Sequence, residues 1–176
     1  MANMIPISTV TVGSGGIASV SFNSIPQTYT DLKVLGSART IRSGASSDYL
    51  EIRFNNSSAA AYEYRTIQGN GSTVSSVNGG SGLAGTAIGF DRFPSSTSAA
   101  NTFGNFELYI PNYTASTRKS VSSDTVSENN ATEATAVLHA SVWANTSPIN
   151  SITFAIGGGT LIDVHSTFTL YGIRKY

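Results

Sequence analysis

Apolar side chains recur at every second position through most of this sequence, and this spacing constrains the fold more than any other feature. The apolar runs are short, rich in Val, Ile, Thr, Tyr and Phe, and separated by clusters of Gly, Asn, Ser and Pro. A period of two is that of a β-strand with one buried face, and the intervening clusters are typical of turns. The alternation predicts eleven strands, over residues 7–12, 16–24, 31–40, 49–55, 62–69, 86–93, 103–111, 119–127, 135–145, 149–156 and 166–174. So many short strands indicate an all-β domain of two packed sheets.

Length and composition exclude several classes of protein. The 176 residues fit one domain with a sizeable core, residues 1–176, in which the first fifteen or so residues form an extended arm or an edge strand. Cysteine is absent, which excludes disulfides and thiolate metal sites. Ten Lys and Arg balance ten Asp and Glu, so the chain lacks the basic surplus of a nucleic-acid-binding protein. No run approaches the roughly 18 apolar residues of a membrane span, and no export signal is expected.

Glycine clusters predict two unusual connections. Gly79, Gly80 and Gly82 make residues 75–85 the most flexible internal segment, which we interpret as a mobile loop or, alternatively, as a loop that contacts a partner. Residues 155–161 are predicted to connect two late strands as a hairpin, because three glycines lie between two alternating runs. The predicted strands carry few inward-pointing charges to discourage edge pairing, which favours sheet edges that another subunit covers.

The sequence offers little for catalysis. If Leu138 and Ala140 point inward, His139 lies on the opposite face as a hydrogen-bonded structural residue. Asp163 and His165 share a strand face, a pairing that suits a metal or a general base, but no third ligand is visible. Four acidic residues are expected to face solvent or to pair with Arg42, Arg53, Arg65 or Arg92: Asp48, Glu51, Glu63 and Asp91. The sequence predicts no enzyme, no catalytic residue, no cofactor and no metal site.

Aromatic residues are the better candidates for contact with a partner. Tyr62 and Tyr64 lie two apart on one face of a predicted strand, while Glu63 and Arg65 share the other face. Stacked tyrosines bind sugar rings or the apolar anchors of a protein partner, although the same spacing also fits a half-buried sheet face. A larger aromatic and aliphatic set is expected to furnish the core of the sandwich: Trp143, Phe154, Phe168 and Leu170.

The last eleven residues, STFTLYGIRKY, alternate apolar and hydroxyl-bearing side chains. Phe168 and Leu170 are expected to face the core, and a bulge at Gly172 would bring the following isoleucine under cover as well. An ordered last strand holds three further residues at a defined place, where they are candidates for contact with a neighbouring subunit: Arg174, Lys175 and Tyr176.

Four stretches carry a resemblance to a known family: VSFNSIPQTYTDLKVLGSART, YLEIRFNNSSAAAYEYRTIQGNGS, FELYIPNY and INSITFAIGGGTLIDVHSTFTLYGIRKY. In this order they resemble small structural proteins of tailed bacteriophages, including marine and cyanobacterial phages, over most of the chain from about Val20 to Tyr176. The resemblance implies a jelly-roll-like two-sheet β-sandwich, mainly antiparallel, and no catalytic residues to carry over.

The resemblance also implies a function in the virion. The expectation is a capsid decoration or cement protein, made in the host cytoplasm, that assembles as a homotrimer and bridges subunits of the major capsid protein. The alternative is a receptor- or carbohydrate-binding module of a tail or fibre, with a host glycan as ligand. Neither expectation involves nucleic acid, a membrane or a cofactor.

Overall fold

The computed structural model describes residues 3–128 and 134–174, which form twelve strands and one 3-10 turn at Ser81–Leu83. The strands are β1 (Asn3–Thr11), β2 (Ser19–Phe22), β3 (Asp31–Ala38), β4 (Ser47–Phe54), β5 (Tyr62–Gly69), β6 (Val74–Gly79), β7 (Ile88–Pro94), β8 (Gly104–Ile110), β9 (Lys119–Glu128), β10 (Ala134–Trp143), β11 (Ile152–Ile156) and β12 (Thr167–Arg174). Among these residues no helix has the length and apolar character needed to cross a membrane.

Two antiparallel sheets pack together as a β-sandwich, which confirms the predicted fold class. The larger sheet has eight strands in the order β1-β12-β3-β8-β9-β10-β5-β6, and the smaller has four in the order β2-β11-β4-β7. The hairpins β5–β6 and β9–β10 lie together at one end of the larger sheet. Without them the orders are β1-β12-β3-β8 and β2-β11-β4-β7, the paired four-stranded sheets of a jelly roll. We call these eight strands the jelly-roll core and the two hairpins the hairpin extension.

Packed phenylalanine rings fill the jelly-roll core. The ring centroid of Phe106 lies 5.2 Å from that of Phe90, 5.3 Å from Phe168 and 5.8 Å from Phe154. These rings come from both sheets, because every second residue of each strand points inward. Aromatic pairs of this kind add about 0.5–1.5 kcal/mol each to the free energy gained from burial alone. The predicted core residues are all buried: Trp143, Phe154, Phe168 and Leu170.

The last strand, β12, lies between β1 and β3. Phe168 and Leu170 point into the core, as predicted, and the alternate residues Thr167, Thr169 and Tyr171 are half-buried on the other face. The predicted bulge at Gly172 is wrong, because β12 pairs with β3 without interruption and the register shift lies in β1, between Pro6 and Ser8. Gly172 instead leaves room for Tyr29, since a Cβ at this glycine would lie 2.3 Å from Cγ of that ring.

A twelfth strand, β6, lies where a loop was predicted. It pairs with β5 from Gly69↔Val74 to Tyr64↔Gly79, and the 3-10 turn follows it. None of its side chains is buried, so the apolar alternation that reveals the other strands is missing here. Backbone hydrogen bonds to β5 therefore define this strand.

The predicted hairpin over residues 155–161 is also wrong. β11 pairs with β2 and β4 in the smaller sheet, whereas β12 pairs with β1 and β3 in the larger one. The glycines therefore carry the chain from one sheet to the other. Gly157 is required there for space, because a Cβ at this position would lie 2.1 Å from the ring of Tyr49.

Candidate functional site

Tyr62 belongs to the core and not to the surface. Its ring is fully buried and stacks on that of Trp143, with centroids 6.1 Å apart. Its hydroxyl accepts from the Phe54 amide at 3.0 Å and donates to the carbonyls of Phe54 and Ser57. Burial is the main cause that raises the pKa of this hydroxyl. The predicted role of Tyr62 in partner contact is therefore corrected to a role in packing.

Tyr64, the second predicted contact residue, is half-buried and lies in a surface groove of about 370 Å³. We call this groove the tyrosine groove. Its lining residues come from β4, β5, β7 and the connection between β6 and β7: Tyr49, Glu51, Tyr64, Gly80, Gly85, Thr86, Ala87 and Gly89. Tyr49 and Glu51 lie two apart on β4 and therefore share one face of the strand, and the sheet topology brings that strand close to Tyr64.

Glycine backbones brace both tyrosine rings of the groove. A Cβ at Gly79 would lie 2.1 Å from Cζ of Tyr64, and one at Gly89 would lie 2.6 Å from its hydroxyl oxygen. Gly157 stands in the same relation to Tyr49, at 2.1 Å. Any larger residue at these three positions would push a ring away, so the glycines set where the rings lie.

The connection between β6 and β7, which forms one side of the tyrosine groove, is held against β5 by hydrogen bonds. Tyr62 and Gly85 exchange two backbone hydrogen bonds of 3.0 and 3.1 Å. The Glu63 carboxylate accepts from the Leu83 amide at 3.2 Å and from Arg65. The hydrogen bond from Arg65 is the main cause that lowers the pKa of Glu63. These contacts hold residues 80–85 against β5, within the segment 75–85 that the sequence predicts as a mobile or partner-contacting loop.

A second concavity, of about 410 Å³, lies at the tip of the β5–β6 hairpin. Arg92 lines it and adopts a φ of +77°, a conformation that is uncommon outside glycine. Its Nε donates to the Gln68 amide oxygen at 3.3 Å and a terminal nitrogen donates to the Ser47 hydroxyl at 3.2 Å. The guanidinium is therefore committed to neighbours within the fold.

The strand β10 has its more apolar face outside. Leu138 is 58% exposed, and Ala134, Ala136 and Ala140 share its outward face. The inward face of the same strand carries Thr, Val, His, Ser and Trp side chains. Directly opposite Leu138 on β5 lies Ile67, which is also 58% exposed. We call the surface formed by Ile67, Ala136, Leu138 and Ala140 the outer apolar face.

The direction predicted for His139 is wrong, because Leu138 points outward and His139 inward. His139 is 1% exposed, and its ring centroid lies 5.6 Å from that of Phe90. Thr66 and Ser123 lie opposite it on β5 and β9. Neither ring nitrogen has a hydrogen-bond partner within the described part of the chain, and burial lowers the pKa of His139 to about 4.

Asp163 and His165 do not form a site together. Asp163 lies 3.5 Å from the Arg39 guanidinium, whereas His165 is exposed in a turn with a φ of +71°. Three predicted acid–arginine pairs are confirmed: Asp48 with Arg42, Glu51 with Arg53 and Glu63 with Arg65. The Asp91 side chain lies outside the described structure. Across residues 3–128 and 134–174, no group of three or more acidic or histidine side chains could hold a metal ion.

Of the three candidate contact residues at the end of the chain, Arg174 lies within the described structure. It is exposed, and its guanidinium carbon lies 5.4 Å from the centroid of the Tyr29 ring. A cation at this distance is attracted by the face of the ring, which orients the side chain. Lys175 and Tyr176 lie outside the described residues.

Comparison with known proteins gives no relative from which function could be transferred. No protein-family model, no curated protein and no solved structure matches this chain.

Proposed function

We propose that this chain is a non-enzymatic structural protein of a tailed-phage virion, which decorates the capsid as a homotrimer and stabilises it. The observation that carries the proposal is the reversed polarity of β10, whose exposed face is more apolar than its buried face. Covering the outer face of such a strand stabilises the protein by roughly 25 cal/mol per Å² of apolar surface removed from water. Assembly supplies that cover.

The two outer edges of the larger sheet support the same proposal. The edge strand β1 contains Pro6 and a register shift, two features that discourage pairing with another chain. The edge strand β6 has the sequence VSSVNG, with no charge, no proline and an unbroken register with β5. Its free edge adjoins the outer apolar face, so one surface offers both backbone hydrogen bonds and apolar area.

A neighbouring copy of the chain is the occupant that we assign to this surface. The chain carries ten basic and ten acidic residues, so copies meet without net charge repulsion. In a ring of three copies, β6 and the outer apolar face of each copy contact a different surface of the next, and the ring closes. The trimer then bridges subunits of the major capsid protein, and the buried interface area opposes expansion of the shell.

Heating of particles tests the function directly. We expect particles that carry the protein to release their DNA at a higher temperature than particles that lack it. Leu138→Ser reduces the outer apolar face without touching the core, and this variant should give particles that release DNA like those without the protein. Equal release temperatures with and without the wild-type protein would contradict a cement function.

The location of the protein separates decoration from the alternative of a receptor- or carbohydrate-binding module. Antibody labelling of intact particles should mark the head if the protein decorates the capsid. Labelling confined to the tail or its fibres would reject decoration and support the alternative.

A further inference from the structure

The tyrosine groove contains two aromatic rings that are in place before any ligand arrives. Tyr64 lies against Gly79 and Gly89, and Tyr49 lies against Gly157, at distances that leave no room for a Cβ. Because the rings are already confined, a ligand that stacks on them does not have to order them, and the entropic cost of binding falls. Rigid aromatic surfaces on a β-sheet suit a flat, partly apolar ligand.

Hydrogen-bonding groups lie beside these rings. The Glu51 carboxylate lines the groove and is held by Arg53, and a carboxylate can accept several hydrogen bonds. The hydroxyls of Tyr49 and Thr86 add groups that both donate and accept. Apolar ring faces next to acceptors match a sugar ring, which presents C–H groups on its faces and hydroxyls at its rim.

The charge and the volume of the tyrosine groove limit the class of ligand that it can bind. The eight lining residues include one carboxylate and no cation, and Arg53 already compensates that carboxylate. An acidic sugar or a phosphate would meet Glu51 without a positive partner, so the groove disfavours anions. The volume of about 370 Å³ lies near the lower limit of small-ligand sites, which suits a single sugar unit.

We propose that the tyrosine groove binds one neutral hexose unit of a glycan, with a C–H face on Tyr64 and hydroxyls that donate to Glu51. This activity is separate from the proposed structural role. Tyr64 and Ile67 are three residues apart on β5 and therefore lie on opposite faces of the strand. An interface on the outer apolar face therefore lies on the side of β5 opposite to the Tyr64 ring.

Titration with simple sugars, followed by nuclear magnetic resonance of the backbone amides, tests the proposal. We expect glucose, galactose or mannose to shift the amide signals of Gly85 and Gly89 saturably, with a dissociation constant in the millimolar range. Glucuronate should bind more weakly than the best neutral hexose, because its carboxylate meets that of Glu51.

Three variants separate specific binding from general effects. Tyr64→Ala should weaken binding about tenfold, which corresponds to the loss of one aromatic stacking contact. Gly89→Ala keeps both tyrosines but displaces the Tyr64 ring, and it should weaken binding as well. Glu51→Gln removes the negative charge and should abolish the discrimination against glucuronate. Tyr171→Ala, at a half-buried tyrosine on β12, which is five strands away from β5 in the same sheet, is the matched control and should bind normally.

Two results would overturn the proposal. One is the absence of saturable amide shifts with all three neutral hexoses; the other is wild-type binding by Tyr64→Ala and Gly89→Ala. A groove that fails this test leaves the capsid proposal intact, because heating of particles and labelling do not depend on sugar binding.

Discussion

The interiors of the jelly-roll core and of the hairpin extension differ in kind. The core is filled by aromatic and aliphatic side chains from both sheets, with five phenylalanines in mutual contact. The buried face of the extension carries, beside Tyr62, Val121, Val137 and Trp143, a set of hydroxyls and an imidazole: Thr66, Ser123, Thr125, Ser127, Thr135, His139 and Ser141. Several of these buried polar atoms lack a hydrogen-bond partner in the described structure, among them Thr66 Oγ1, Ser141 Oγ and both ring nitrogens of His139.

The jelly-roll core supplies most of the stability, whereas the hairpin extension supplies the surfaces proposed for function. Burying apolar surface stabilises the core, whereas burying an unpaired polar group costs about 1–3 kcal/mol. The extension therefore contributes less stability than its size suggests. What it contributes instead is surface, because it supplies the outer apolar face, the open edge β6 and the Tyr64 ring of the groove.

Removal of an aromatic ring from the jelly-roll core should cause the largest loss of stability. Phe106→Ala empties a site among four other phenylalanines, and we expect the free energy of unfolding to fall by about 3–5 kcal/mol. Urea denaturation measures this directly. A loss of about 1 kcal/mol or less would mean that the core does not dominate stability.

Lowering the pH should destabilise the protein through His139, a buried residue of the hairpin extension. Burial lowers the pKa of His139 from 6.5 to about 4, so between these values the unfolded chain binds a proton that the folded chain does not. Stability should therefore fall as the pH drops below 6.5 and level off below 4, by about 3 kcal/mol from this residue. His139→Gln should remove that part of the loss, measured by urea denaturation across the pH range.

The exposed histidine provides the control for this prediction. His165→Gln, at an exposed position, leaves the buried imidazole of His139 in place and should retain the acid loss assigned to that residue. An equal pH dependence for wild type and His139→Gln would show that the buried imidazole does not govern the acid response.

Two buried serines give the smallest and most closely matched comparison. Ser166, on the core side, accepts a hydrogen bond of 3.1 Å from the Arg39 amide, and Ser166→Ala should cost about 1–3 kcal/mol. Ser141, in the extension, has a buried hydroxyl without a partner in the described structure, so Ser141→Ala removes a cost and should leave stability unchanged or raise it by up to about 1–3 kcal/mol. Equal losses in thermal or urea denaturation would erase the distinction between the two interiors.

The sequence predicts the strands well because most strands bury one face. Each of the eleven predicted runs overlaps a strand. The strand that was not predicted, β6, buries no side chain. Alternation also identifies which residues share a face, but it does not say which face is buried. His139 shows this limit, since in β10 the more apolar face is the exposed one.

The candidate site was only half visible in the sequence. Tyr64 stood out through its spacing from Tyr62, yet whether each ring is buried depends on how the extension adjoins β7. Tyr49 and Gly89 join the groove from strands that are remote in sequence, and the bracing by Gly157 depends on the crossing between sheets. Contacts of this kind are set by topology and not by local pattern.

The most direct test of the account is the mass of the protein in solution. Wild type should sediment as a homotrimer, and Ser76→Lys, which places a charge on the open edge β6, should sediment as a monomer that keeps the circular dichroism spectrum of the wild type. Ser8→Lys, on the guarded edge β1, should remain a trimer. A monomeric wild type, or a Ser76→Lys variant that stays trimeric, would contradict assembly through the hairpin extension.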